Sequence, residues 1–301
     1  MRSLIARFDR PWILLLLTVL FWSGNWVVGR GFRGEVPPVA LAFWRWVIAF
    51  VCVLPLAWPH RAQLRPAWRS HWGVLCLLGL LGIAGYNTLA YLGLQTTTAT
   101  NGVLLNSFIP IVIIGLSWAF LGKRLRSGES AGVALSLLGV LIIVAHGEPA
   151  RLAKLVFNPG DLWVMAAVLA WAGYTVLLQF RPAGLHPAAL LASLTVVGLV
   201  CLLPFYLHEM LGGRHIHVSA ASLAGIAYTG IFPGFLGYVF WNRAVAQVGG
   251  TVAGLYIHVM PVATPLLSAL FLGEAPQAYH FAGMLLILGG IFVATRRVQA
   301  T

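Results

Sequence analysis

Acidic side chains are what this sequence has least of: seven Asp and Glu among 301 residues, against nineteen Lys and Arg. Charged residues of both signs make up 9% of the chain, where soluble domains carry about a quarter. The seven acids stand singly, so there is no acidic cluster to coordinate sodium and no carboxylate pair for acid–base catalysis, which argues against a membrane-embedded enzyme. Cysteine is scarce as well. Cys52, Cys76 and Cys201 all fall in apolar stretches, with no CxxC and no His/Cys cluster, so neither a disulfide framework nor a metal site is expected. A GxxxxGK[ST] loop is also missing, as is any soluble domain, which excludes ATP-driven pumping by this chain alone and leaves no cofactor to expect.

What remains is hydrocarbon. Hydrophobic residues make up 60% of the chain, and the mean hydropathy is +0.89. A bilayer core about 30 Å thick is crossed by about 20 apolar residues in a helix. Uncharged runs of that length predict spans near 11–29, 36–58, 72–94, 98–121, 129–146, 161–180, 186–207, 221–242, 249–272 and 277–295, each bounded to about three residues. Trp72–Gly122 holds no Lys, Arg, Asp or Glu and is long enough for two passes, folding back at the polar 95–101 stretch. The first span has a basic start like a signal peptide but is long for one and lacks a small-x-small exit, so it is read as retained. The expectation is an all-α integral membrane protein with ten transmembrane helices.

The net charge of +12 invites a nucleic-acid reading, and its placement argues against one. With the N-terminus inside, thirteen basic residues fall on inner segments, from Arg2, Arg7 and Arg10 through Arg61, Arg65 and Arg69 to Arg296 and Arg297. Five fall on outer loops, and Arg45 lies within a span. That bias is the positive-inside rule with both termini cytoplasmic. The partners expected are the lipid bilayer and a small molecule, with no nucleic acid; the sequence leaves the oligomeric state open, a monomer included.

The two halves repeat. Val51-Cys-Val-Leu-Pro55 recurs as Val200-Cys-Leu-Leu-Pro204, and Trp22-Ser-Gly24 as Trp171-Ala-Gly173, both at an offset of 149. Farther along the offset is 151, matching Pro110 to Pro261, Phe120-Leu-Gly122 to Phe271-Leu-Gly273, Gly132 to Gly283 and Gly139 to Gly290. One two-residue length change between the second and third spans explains both values. The domains are therefore 1–148 and 149–301, each with five helices. An odd number makes the second half enter from the opposite face, and inverted-topology repeats are the architecture of alternating access around a midplane site.

Polar groups inside hydrocarbon are expensive, so each one is a candidate for function. Arg45 lies near mid-span, as a carboxylate ligand or gate residue, or as a structural guanidinium; its counterpart in the second half is Leu194. His258 would suit proton coupling, or it is a satisfied hydrogen-bonding residue. Trp22, Asn25, Tyr86, Asn87, Asn101, Trp171, Tyr174, Tyr238 and Tyr256 complete the proposed substrate set, an aromatic wall with polar tips; core packing is the other reading. Trp241 falls close to a span end and reads as an interfacial anchor. Pro110 and Pro261, inside spans four and nine, should kink their helices and act as hinges. Gly79, Gly82 and Gly85, and the Gly132/Gly139 and Gly283/Gly290 pairs, should allow close helix contact.

Phe21-Trp-Ser-Gly-Asn-Trp26, Phe43-Trp-Arg-Trp46, Tyr86-Asn-Thr-Leu-Ala-Tyr-Leu-Gly-Leu-Gln95, Leu105-Asn-Ser-Phe-Ile-Pro110 and Leu272-Gly-Glu274 together resemble the EamA family of the drug/metabolite transporter superfamily. Within it the chain is similar to the YddG-type amino-acid exporters. The resemblance implies a ten-helix inner-membrane exporter of amino acids, aromatic ones included, with a central cavity between the repeats. One departure is Leu121-Gly-Lys123 after span four, where the family carries Leu-Gly-Glu. The function expected is export of small amphipathic metabolites, foremost amino acids, by alternating access. The alternatives are export of another metabolite or a drug, a membrane-embedded enzyme, or a receptor.

Overall fold

The computed structural model describes residues 10–32, 34–97, 102, 105–123, 127–145, 147–148, 150, 159–272 and 278–295. Among these, every regular element is a helix. A backbone in lipid can satisfy its N–H and C=O groups only within itself, so a chain this apolar has little choice. The helices are α1 (Pro11–Gly31), α2 (Pro38–Ala57), α3 (Leu64–Leu78), α4 (Tyr86–Thr96), α5 (Ile109–Leu121), α6 (Ser127–Val144), α7 (Pro159–Leu177), α8 (Pro187–Leu211), α9 (Ala220–Thr229), α10 (Gly237–Leu255), α11 (Met260–Leu272) and α12 (Ala278–Thr295). Stretches 11–29, 38–96, 159–180, 187–211 and 220–264 are each long and apolar enough to cross a membrane, and the chain is a multi-pass membrane protein.

Two joints were not foreseen. A π-helical segment, Gly79–Gly85, links α3 to α4, and another, Gly230–Leu236, links α9 to α10. Both are rich in glycine, which lets the wider turn form against a close neighbour. Gly249, at φ 81° and ψ 161°, breaks α10 near its end at a backbone conformation that favours glycine. The third span is longer than expected, since helix already runs from Leu64 and bends at His71, whose φ and ψ are −134° and 27°.

Pro110 and Pro261 take a different role from the one the sequence suggests. Each is the second residue of its helix, α5 or α11, where the missing N–H had no partner to lose. The break therefore lies ahead of the proline, as the turn at Ser107–Phe108 and as the 3-10 segment Tyr256–Val259, and is not a bend inside a helix. Prolines deeper within helical segments include Pro55 in α2, Pro204 in α8, Pro265 in α11 and Pro233 in the second π segment.

Helix boundaries repeat at the offsets found in the sequence. α2 and α8 begin at Pro38 and Pro187; the π segments begin at Gly79 and Gly230; α5 and α11 span 109–121 and 260–272. Packing is reciprocal as well. Gly79 lies against the Leu194 carbonyl and Val197, and Gly230 against the Arg45 carbonyl and Ile48, so each π segment seats on the second helix of the other half. α6 and α12 pack antiparallel: a Cβ at Gly139 would stand 2.6 Å from the Gly283 carbonyl oxygen, and one at Gly290 2.6 Å from that of Gly132. Small residues there allow backbones to touch.

The ends of the α2–α8 pair are fastened differently. At the start of α2, Glu209 accepts from the backbone N–H of Ala40 at 2.7 Å and of Val39 at 3.4 Å, an anion on a helix N-terminus. At the start of α8, His186 caps the helix by accepting from Ala188 N–H at 3.3 Å, and its ring stacks on His60 with centroids 3.7 Å apart.

Candidate functional site

Arg45 comes from the middle of α2 and is 1% exposed. Its Nη1 donates to Asn87 Oδ1 at 2.8 Å, to the Tyr91 hydroxyl at 3.0 Å and to Asn25 Oδ1 at 3.2 Å, while its Nε has no partner. Its guanidinium carbon is 5.4 Å from the Trp46 ring centroid. All these partners are neutral. A buried cation among neutral groups is a costly arrangement, and a buried guanidinium is well suited to bind a carboxylate.

Beside it lies an aromatic cluster drawn from five helices. Trp22 of α1 meets Trp171 of α7 edge-on, centroids 4.9 Å apart at 88°. Trp241 of α10 lies 5.1 Å from Trp22 and 5.5 Å from Trp171. Tyr238 is 5.4 Å from Trp171 and 4.8 Å from Trp46, at 85° to the latter ring. Tyr86 and Tyr174 flank Trp171 at 4.9 and 5.2 Å. Hydrogen bonds tie the cluster to the arginine: Asn87 Nδ2 donates to the Tyr238 hydroxyl at 3.3 Å, and that hydroxyl donates to the Gly82 carbonyl.

The two halves contribute the same hydrogen bond with its ends exchanged. Tyr91 of α4 donates to Asn25 of α1 at 2.8 Å; at the counterpart positions Tyr174 of α7 donates to Asn242 of α10 at 2.6 Å. Arg45 breaks this near-symmetry, having only an aliphatic side chain, Leu194, as its counterpart.

Eight of the residues expected at the site come together here: Trp22, Asn25, Arg45, Tyr86, Asn87, Trp171, Tyr174 and Tyr238. Asn101 lies outside the described residues. Tyr256 and His258 stand apart. Tyr256 stacks on Trp12 with centroids 6.1 Å apart, and His258 bonds through Nε2 to the Ser107 carbonyl at 2.8 Å and through Nδ1 to the Ser136 hydroxyl. Both nitrogens are thus satisfied within the helix packing.

Trp241 is not an interfacial anchor: it is fully buried in the cluster. Trp46, Tyr91 and Asn242 belong to the site too. Trp46 follows Arg45 directly, and an aromatic beside an intramembrane cation was the available signal for it. Tyr91 and Asn242 are polar residues within apolar stretches, as Asn25 and Asn87 are, and the repeat offset of 151 relates one to the other.

The cluster has more donors than acceptors. The Nε1 groups of Trp46, Trp171 and Trp241, Nδ2 of Asn242 and Nε of Arg45 are buried without a partner. Buried polar groups are nearly always hydrogen-bonded, so five orphan donors on one connected cluster call for an acceptor. An anionic oxygen group would supply it.

The chain matches the EamA-like transporter family over residues 10–145 and again over 158–296. An uncharacterised transporter from Archaeoglobus fulgidus is 27% identical, the alignment covering 95% of this chain and 97% of that one. A probable terminal-alkyne amino-acid exporter from Streptantibioticus cattleyicolor is 28% identical over 94% of this chain and 92% of its own length. A solved crystal structure superposes with a TM-score of 0.76 at 22% identity, over 95% of this chain and 98% of that one, a likeness of fold.

Proposed function

This chain belongs to the EamA-like transporter family, and from that premise we propose that it exports small amphipathic metabolites, amino acids of broad range including aromatic ones, by alternating access across a bacterial inner membrane. It is a transporter rather than an enzyme. The observation that carries the substrate reading is Arg45: a guanidinium 1% exposed, held by three neutral groups, with its Nε free and orphan indole donors beside it. A substrate carboxylate there removes an uncompensated buried charge, and aromatic walls accept side chains of many shapes. The Streptantibioticus relative, a probable terminal-alkyne amino-acid exporter, points the same way.

The architecture proposed is ten spans in two inverted five-helix repeats, 1–148 and 149–301. Stretches 38–96 and 220–264 are each long enough for two passes, and the shorter apolar helices 109–121, 130–142 and 281–293 cross once each. Support for inversion comes from α6 and α12, counterparts that pack antiparallel, with Gly139 on Gly283 and Gly290 on Gly132. Counterparts also meet at Trp22 and Trp171 and at Ser107 and His258, which suits a pseudo-two-fold axis through the middle of the protein. The thirteen-to-five charge bias favours cytoplasmic termini. The breaks ahead of Pro110 and Pro261, with Gly249, serve as joints about which the halves rock. Purified protein in liposomes should accumulate labelled phenylalanine above empty vesicles. Flux equal to that of empty vesicles across a panel of amino acids overturns the proposal.

A further inference from the structure

We propose that the site reads the carboxylate of its substrate and leaves the amino group unread, so that 2-oxo acids and N-acylated amino acids are bound and carried at least as well as the parent amino acids. This rests on the Arg45 cluster being the substrate site. Its basis is an inventory of donors, acceptors and charge.

On the donor side stand the five orphan N–H groups of Arg45, Trp46, Trp171, Trp241 and Asn242. On the acceptor side little is free. Asn25 Oδ1 already takes bonds from Arg45 and Tyr91, Asn87 Oδ1 takes one from Arg45, and Asn242 Oδ1 takes one from Tyr174. The Tyr238 hydroxyl accepts from Asn87 and donates to the Gly82 carbonyl. Unpaired hydroxyls on Ser23, Thr88 and Thr175 can turn to accept, but they carry no charge. A carboxylate brings two oxygens with about four lone-pair sites to this surplus, whereas an ammonium brings three more donors.

Charge leads to the same place. Among the described residues, the buried acids are engaged elsewhere: Glu209 at the start of α2 and Asp161 with Thr97 at the start of α7. Glu35 bonds to Ser219. A monoanion therefore neutralises Arg45, while a zwitterion leaves the site with one net positive charge. Aromatic faces can attract a cation, but here the rings turn edges onto each other's faces, as Trp22 does with Trp171 and Trp46 with Tyr238.

The test is competition against labelled L-phenylalanine flux in proteoliposomes, paired with thermal stabilisation of the detergent-solubilised protein. The probes are phenylpyruvate, N-acetyl-L-phenylalanine and phenethylamine. The two acids should compete at concentrations no higher than unlabelled phenylalanine needs, and phenethylamine should fail at a hundredfold excess. Either acid weaker than phenylalanine by tenfold or more, or phenethylamine competing as phenylalanine does, overturns the inference while leaving amino-acid export standing. If phenylalanine is not carried, stabilisation by both acids upholds the anion reading and sinks amino-acid export; stabilisation by none of the probes overturns both. Asn242→Asp offers a second readout, since a carboxylate there supplies the missing counter-charge. It should move the ratio of phenylalanine to phenylpyruvate affinity about tenfold toward phenylalanine, a change worth about 1.4 kcal/mol. An unchanged ratio in a folded variant contradicts the proposal.

Discussion

His258 donates from Nε2 to the carbonyl oxygen of Ser107, 2.8 Å away, and the two residues are each other's counterparts in the repeat. A carbonyl can only accept, so Nε2 carries a proton, and Nδ1 pairs with the Ser136 hydroxyl, accepting from it when the ring is neutral. The ring is 0% exposed and bridges the halves, with both nitrogens held by structural hydrogen bonds. His258→Gln should therefore lower stability, by about 1–3 kcal/mol for lost buried hydrogen bonds, and leave any response of transport to an imposed pH gradient intact. A folded variant that has lost that response would assign proton coupling to His258 instead.

Arg45→Gln removes the charge and the orphan Nε while keeping a polar side chain. Hydrogen bonds to charged groups contribute about 1.5–3 kcal/mol, so substrate binding should weaken about 10- to 100-fold. The variant should still fold, since its neutral partners Asn25 and Tyr91 keep their own hydrogen bond. Binding and thermal unfolding measured on the same preparation separate the outcomes. Loss of the folded protein with affinity unchanged in what survives makes Arg45 a structural guanidinium.

Glycine substitutions distinguish tight seams from open ones. Gly139→Ala and Gly290→Ala each push a methyl to 2.6 Å from a backbone carbonyl oxygen that cannot step aside. Overpacking of this sort costs about 1–3 kcal/mol. Gly115→Ala, in α5, meets nothing within 4 Å and should be neutral or stabilising by up to about 1 kcal/mol. Thermal unfolding in one detergent ranks the three, and equal melting temperatures contradict the packing described.

The stacked pair His60 and His186 makes one end of the α2–α8 seam sensitive to acid. Burial, then the neighbouring His60 and Arg243, push the His186 imidazole below its usual pKa of 6.5. The folded state therefore prefers the neutral ring, which alone can accept from Ala188. Its stabilisation is complete above pH 6.5 and is lost as pH falls through the lower folded value. The melting temperature should fall on acidification below pH 6.5, and His186→Asn, a good neutral N-cap, should reduce that fall. Identical profiles for both proteins contradict this role. The other end is held by the Glu209 carboxylate on the α2 N-terminus.

Much of this was legible because lipid imposes simple rules. Long uncharged runs marked the helices, and the matching runs Val51–Pro55 and Val200–Pro204, with Trp22 and Trp171, marked the repeat. Arg45, Trp22, Trp171 and Tyr238 stood out because polar and aromatic groups at that depth need a reason to be there. The π segments were not legible, since Gly79, Gly82 and Gly85 state that something lies close without stating which backbone turn results. Trp241 was misplaced because depth was judged along a straight span, and that helix is lengthened by a π segment and broken at Gly249. Proline position misled for a similar reason: Pro110 reads as mid-span, but a helix starts at Ile109.

The central claim is that the halves thread the membrane in opposite senses. Single cysteines at Gln63 and His215, in the loops that follow the second span of each half, should be placed in a chain whose Cys52, Cys76 and Cys201 have been replaced, and probed in intact cells with a membrane-impermeant thiol reagent. His215→Cys is expected to react from outside and Gln63→Cys only after the membrane is opened. Reaction of both from the same side contradicts the account.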